Sequence, residues 1–190
     1  MGIEIGRVAA ILLAGGRATR FGDDKLAAML DGVPLGLHAA RTLADLPFAQ
    51  RVVVTGATRL EVGHLDFDQV QVTSGTLMSG SVRAGVTAVQ VSDCDACLIA
   101  LADMPLVPEA HFAALLATHA GIITATALGG RRMVPAVFAR SVFPRLLSLE
   151  GDRGAAPLLR EGDAVAADPR WLVDIDTPAD LDRLAPQIRC

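Results

Sequence analysis

Apolar residues in this chain come in short, nearly unbroken runs: Val8–Leu13, Arg51–Thr55, Val70–Thr73, Cys97–Leu101 and Ile122–Ala127. Runs of this length, rich in Val, Ile, Leu and Ala, predict strands buried on both faces. Between them the spacing turns helical, over Pro34–Leu46, Ser81–Val89 and Pro108–Ala120. In the third, Phe112, Leu115, Leu116 and His119 share a face, and Pro108 suits the first helical position. Strands alternating with helices predict one α/β domain with a mostly parallel sheet covered by helices. After about residue 128 the rhythm becomes irregular. GGRRMVPAVF reads as a turn into an extended segment, SVFPRLLSL as a short helix broken by Pro144, and GDRGAAPLLR as a loop entering a helix. The chain then reads as a short strand at WLVDID, with Thr177 as N-cap, Pro178 in the first turn and Asp180 completing a capping box. The reading is one domain, regular in its first half and irregular in its second.

Composition narrows the chemistry. The 190 residues are 52% hydrophobic and 20% charged, with a formal net charge of −4. Nothing global therefore attracts nucleic acid or an anionic membrane, and any bound anion needs a local cluster of donors. No apolar run reaches the length of a membrane span, and the N-terminus lacks the basic start of a signal peptide. A cytoplasmic location is expected. The cysteines are Cys94, Cys97 and Cys190. Cys94 and Cys97 form a Cys-x-x-Cys that enters a strand pattern with no second pair, so it reads as incidental rather than as a redox or metal site.

In parallel α/β sheets, ligands bind beyond the carboxyl ends of the strands. That rule selects the loops after Leu13, Thr73 and Leu101, and the end of the last strand. The first loop runs Leu13-Ala14-Gly15-Gly16-Arg17-Ala18-Thr19-Arg20-Phe21-Gly22-Asp23-Asp24-Lys25. Gly15 and Gly16 let backbone N–H groups come close to an anion, and Arg17, Arg20 and Lys25 add cations suited to a triphosphate. The spacing is neither a Walker loop nor the Rossmann glycine fingerprint. After the third strand, Ser79, Gly80 and Ser81 are small enough for a flat base to approach the backbone; Ser81 read alone could equally be an N-cap. Asp103, directly after Leu101-Ala102, offers a carboxylate to Mg²⁺, which takes few carboxylates and keeps phosphate oxygens and waters. Asp174 and Asp176 alternate about Ile175 and so share a face. Either completes a metal site or caps the helix that follows. Asp152 and Arg153 sit in Gly151-Asp152-Arg153-Gly154, a surface turn or an anion contact.

These segments, Leu13-Ala14-Gly15-Gly16-x-x-x-Arg20-Phe21-Gly22-x-Asp24-Lys25, Met78-Ser79-x-Ser81-Val82-Arg83-x-Gly85, Asp103-Met104-Pro105-Leu106-Val107, Gly151-Asp152-Arg153-Gly154-Ala155 and Asp174-Ile175-Asp176-Thr177-Pro178, resemble the signature of the molybdenum-cofactor nucleotidyltransferases. The resemblance spans nearly the whole chain. It implies a Rossmann-like three-layer nucleotidyltransferase fold and transfer of a nucleoside monophosphate from a nucleoside triphosphate to molybdopterin, with release of pyrophosphate. By the same resemblance Lys25 and Arg20 hold phosphates, Asp103 and Asp176 bind Mg²⁺, and Leu13, Ala14, Gly15, Gly16, Ser79, Gly80 and Ser81 line the nucleotide. Residues 1–106 are then expected to form the nucleotide- and metal-binding half and residues 107–190 the acceptor half. Asp152, Arg153 and Asp174 are expected at the acceptor, and a molybdoenzyme or its maturation chaperone is the implied protein partner. The segments around Met78, Gly151 and Asp174 resemble the cytidylyl branch. Ala14-Gly15-Gly16 and the Gly22-to-Lys25 ending resemble the guanylyl branch, and Val134 stands where cytidylyl relatives commonly carry histidine. CTP is the expected donor, GTP the alternative; another small phosphate acceptor and a non-catalytic nucleotide-binding role are the remaining rivals.

Overall fold

A computed structural model describes residues 2–15, 25–56, 60–173, 175, 177, 179–181 and 183–184. Its centre is a seven-stranded sheet. In chain order the elements are β1 (Val8–Ala14), β2 (Met29–Leu30), β3 (Val33–Pro34), α1 (Leu35–Ala44), β4 (Gln50–Thr55), β5 (Asp68–Gln71), α2 (Met78–Gln90), β6 (Ala96–Leu101), α3 (Glu109–Thr118), β7 (Ile123–Leu128), β8 (Arg131–Ala139), α4 (Phe143–Leu147), α5 (Ala156–Leu159) and β9 (Asp163–Ala166). The sheet order is β5-β4-β1-β6-β8-β7-β9, with β2 and β3 forming a separate hairpin. β5, β4, β1 and β6 run parallel, β8 is antiparallel to β6 and β7, and β9 is again parallel to β7.

Why the strands read as continuous apolar runs is plain from β1, all seven of whose residues are buried. Its side chains alternate between two cores. Val8, Ala10, Leu12 and Ala14 face α1 and α3. Ala9, Ile11 and Leu13 face α2, α4 and α5. A side chain such as Ile11 or Leu12, taken fully from water, contributes about 1.5–3 kcal/mol, so neither face tolerates a polar position. α2 lies so close to the sheet that a Cβ on Gly85 would stand 2.5 Å from Ile11 Cγ2 and 3.2 Å from Val54 Cγ2. A third, smaller cluster joins Leu30 and Leu35 to Ile175 and Leu184, tying the β2–β3 hairpin to the C-terminal segment.

Several expectations are corrected. Pro144 lies in the first turn of α4 and starts that helix rather than breaking it, because the first turn needs no N–H from it. Pro108 is the N-cap of α3, with extended backbone, one residue earlier than expected. α2 opens at Met78 with Leu77 as N-cap, so Ser81 lies inside the helix and is not its cap. Trp171 and Leu172, read as the start of a last strand, belong to a single 3-10 turn, Pro169–Leu172. The Thr177–Asp180 capping box is present: Thr177 N–H donates to Asp180 Oδ2 at 2.8 Å, and Asp180 N–H to Thr177 Oγ1 at 3.3 Å. β9 was not anticipated; its DAVA run is short, and its residues are exposed or half-buried. Among the described residues no helix is long and apolar enough to cross a membrane.

Candidate active site

The parallel register sets which loops meet. Ala14 pairs with Thr55 and Leu13 with Leu101, so β1, β4 and β6 end side by side. Ala102 N–H donates to Leu13 O at 3.0 Å, fastening the turn that carries Asp103 to the last residues of β1. Leu13 and Ala14 are themselves buried, 5% and 4% exposed. Their side chains belong to the core, which leaves only backbone for a ligand.

Directly beyond them the backbone of Gly15 packs against the end of β4. A Cβ on Gly15 would lie 3.3 Å from Gly56 N and 3.4 Å from Ser81 Oγ. The close approach favours glycine at position 15, since a side chain there would press on the Gly56 backbone. Gly56 is a site residue that sequence reasoning missed; a lone glycine after a strand was its only signal. Ser81 is fully buried, and among the described residues its Oγ meets no hydrogen-bond partner. Buried hydroxyls are nearly always satisfied, so an orphaned one at the ligand edge of a sheet is a group awaiting a partner.

Lys25 and Asp103, seventy-eight positions apart, form the central contact: Lys25 Nζ donates to Asp103 Oδ2 at 2.8 Å. The two side chains are only 11% and 24% exposed. Taking two charges this far from water costs more than most ion pairs return, so the pair is poorly explained as a stability device. Asp103 Oδ1 is buried and lacks a hydrogen-bond partner among the described residues. A carboxylate with one oxygen on a lysine and the other unsatisfied suits a hard divalent cation, which takes oxygen ligands. No group of three potential metal-ligating side chains occurs among the described residues. Gly16, Arg17, Arg20, Asp174 and Asp176 lie outside the described residues.

Of the expected acceptor contacts, Arg153 is exposed. Asp152 Oδ1 accepts the N–H of Met78 at 3.3 Å, and Gly151 O accepts that of Ser79 at 3.3 Å. These bonds bring the 151–154 loop against the start of α2, the helix that carries Ser79, Gly80 and Ser81. The structure also adds a cationic edge. Because β8 is antiparallel to β6, the β7–β8 turn falls at the same sheet edge as Asp103. Arg131 and Arg132 follow that turn, and Arg132 Nη1 donates to the carbonyl of Arg160 at 2.5 Å. Their signal was Gly129-Gly130-Arg131-Arg132, glycines and cations in the same combination as the first loop.

Cys94 and Cys97 are buried. Burial drives the Cys97 thiol far above its ordinary range, which removes the thiolate that redox chemistry needs.

The model of the MobA-like NTP transferase domain matches residues 10–166. The chain belongs to that family. It is a nucleotidyltransferase, an enzyme, with the fold of that class. The purine catabolism protein PucB of Bacillus subtilis (strain 168) is 30% identical over 190 residues, covering 90% of this chain and 93% of the relative. The molybdenum cofactor guanylyltransferase of Rhodobacter capsulatus is 29% identical over 193 residues, covering 96% and 97%. Among solved structures, the manganese complex of Rv0371C from Mycobacterium tuberculosis H37Rv superposes with a TM-score of 0.79 at 22% identity, covering 95% and 98%. The MobA-like match runs through both the Lys25–Asp103 pair and the 151–154 loop.

Proposed function

We propose that the enzyme transfers CMP from CTP to the terminal phosphate of molybdopterin and releases pyrophosphate. The observation that carries the reading is the Lys25–Asp103 pair, with its orphaned carboxylate oxygen, at the sheet edge where Gly15 closes on Gly56 and Ser81. The acceptor phosphate is an anion already, so its attack on the α-phosphorus needs no general base. Catalysis then lies in positioning and in neutralising charge on the transferring group and leaving pyrophosphate. Lys25 places its ammonium near the α-phosphate, and Arg20 holds the β- and γ-phosphates. Gly15 and Gly16 contribute backbone donors, while Ser79, Gly80 and Ser81 receive the base and ribose. Asp103, with Asp176, would hold Mg²⁺, which when bound supplies charge neutralisation and a template for the phosphates. The manganese carried by the Mycobacterium tuberculosis neighbour supports divalent-metal use.

Residues 107–190 form the acceptor half in this reading, with Arg153 and Asp174 toward molybdopterin, and the product passes to a molybdoenzyme or its maturation chaperone. CTP as donor rests on the segments around Met78, Gly151 and Asp174. GTP is the second reading, favoured by the relative named a molybdenum cofactor guanylyltransferase and by Ala14-Gly15-Gly16. The relative named for purine catabolism gives the acceptor an arm of its own in the test. The experiment measures pyrophosphate release with molybdopterin, comparing CTP with GTP and Mg²⁺ with none. Release with CTP and Mg²⁺ supports the proposal. Release with GTP alone moves the donor, and no release with either moves the acceptor.

A further inference from the structure

We infer that Asp152 is a positioning residue of the nucleotide site, holding the first turn of α2 rather than touching the acceptor. The inference rests on the reading of Ser79–Ser81 as the base and ribose contact. The first N–H groups of a helix have no partner within it and must find one elsewhere. In α2 the N-cap is Leu77, whose side chain offers no acceptor. The cap comes instead from a loop seventy-four positions away: Asp152 Oδ1 takes Met78 N–H, and Gly151 O takes Ser79 N–H, each at 3.3 Å. Gly80 and Ser81 N–H both turn back to Leu77 O, at 2.9 and 3.2 Å. The leading donors of Met78, Ser79 and Gly80 are therefore used by the protein, and Ser81 N–H makes the first ordinary bond of the helix.

The loop is shaped for this contact. Gly154 has φ +50°, and a Cβ there would stand 2.6 Å from Met78 Cγ, so only glycine lets the two segments close. Gly151 has φ +76°. A second tie runs from Arg83 Nη1 to Leu149 O at 3.5 Å. Leu149, Gly151 and Asp152 thus grip the first two turns of α2 from one side.

The consequence is electrostatic as well as mechanical. A helix N-terminus normally attracts phosphate through its free N–H groups and the positive end of its dipole. With those donors occupied and a carboxylate seated on them, the start of α2 disfavours phosphate. A triphosphate is left to Lys25 and its loop, and α2 offers the nucleotide its small neutral side chains. Ser81 Oγ, buried and without a partner among the described residues, is the group so presented. Arg153, next in the chain and exposed, remains available to the acceptor, so one loop touches both substrates.

The test uses the full chain and compares Asp152→Ala with Asp152→Asn, which keeps the oxygen acceptor. Binding of CTP and of GTP is titrated without acceptor, alongside KM for both substrates and the thermal midpoint. In Asp152→Ala the nucleotide Kd and KM should rise roughly threefold to thirtyfold, the equivalent of one lost helix cap. Acceptor KM should stay within about twofold, and Asp152→Asn should recover most of the nucleotide affinity. Unchanged nucleotide binding in Asp152→Ala, or an effect confined to acceptor KM, overturns the inference while leaving the nucleotide reading intact. If the wild-type chain binds neither nucleotide, the assignment of Ser79–Ser81 fails first and Asp152 with it.

Discussion

Replacing Asp103 with asparagine separates what its carboxylate does for catalysis from what it does for the fold. Asparagine keeps the shape and can leave its carbonyl oxygen on Lys25 Nζ, at the 2.8 Å now held by Oδ2. The ammonium keeps its hydrogen bond but loses Asp103 as a counter-ion, and removing one partner of a buried ion pair costs about 3–5 kcal/mol. The amide oxygen kept on Lys25 and the residual exposure, 24% for Asp103 and 11% for Lys25, reduce this to about 1–3 kcal/mol. The buried Oδ1 has no hydrogen bond to lose among the described residues. The thermal midpoint should therefore fall by roughly 2–12 °C for a chain of this size. A protein of ordinary stability stays almost wholly folded after such a loss. Turnover should fall far more. Removing a group that acts only as charge develops on the transferring phosphates typically costs about 10²–10³-fold in kcat. The assay is pyrophosphate release under saturating nucleotide, with thermal denaturation and nucleotide binding measured on the same preparation. An Asp103→Asn enzyme with more than about a tenth of wild-type kcat would refute the reasoning, as would activity lost only in step with unfolding.

Three further outcomes follow from the same geometry. Ser81→Ala removes a buried hydroxyl that has no partner, so its thermal midpoint should match or exceed wild type while nucleotide Kd rises by about twofold to tenfold; a lower midpoint with unchanged Kd would contradict it. Gly85→Val inserts carbon where a Cβ alone would meet Ile11 at 2.5 Å; overpacking costs about 1–3 kcal/mol, and an unaltered midpoint in calorimetry would refute the packing argument. His111 on α3 and His119, the residue that caps its C-terminus, are buried and titrate below the ordinary value near 6.5, both through burial, with Asp163 opposing at His119. The unfolded chain then binds more protons than the folded one, so stability rises with pH through this window and is lost as pH falls below about 6.5. Midpoints measured from pH 7 to pH 5 should fall, and His111→Gln should flatten the slope; an equal slope in the variant would show that His111 takes no part.

The environment of His111 shows how a residue that looks scattered in sequence acquires a defined role. Thr126 Oγ1 donates to Pro135 O at 2.6 Å and has no second proton, so it must accept from His111 Nε2 at 2.8 Å. Nε2 of His111 thus carries a proton between α3 and β7, and burial favours the neutral ring. Nothing in the spacing of His38, His64, His111 and His119 announced this, because the partners lie on a strand fifteen positions away.

The linear pattern located β1, β4, β6 and β7 with the helices α1, α2 and α3, because those strands are largely buried and those helices bury one face. The exposed edge strand β5 runs over Asp68–Gln71 rather than the expected Val70–Thr73, and the short β2–β3 hairpin left no run to read. Burial leaves a period in the sequence, and the period survives without coordinates. It also placed the ligand edge, since the loops after Leu13 and Leu101 hold glycines, cations and a carboxylate that a core would reject. The tertiary structure alone decided the rest. β9 escaped notice because its residues are not deeply buried, and the sense of Pro144 depended on where its helix began. Gly56 became part of the site through a register with β1 that no local signal encodes, and Arg131 and Arg132 through the antiparallel turn of β8. The family resemblance placed Asp152 at the acceptor, whereas the residues of Gly151–Gly154 by themselves read as a surface turn or an anion contact by Arg153. Only the folding of that loop onto α2 showed Asp152 capping the helix that carries Ser79 and Ser81. Periodicity records how a segment meets the core, whereas contacts between distant loops leave no period to read.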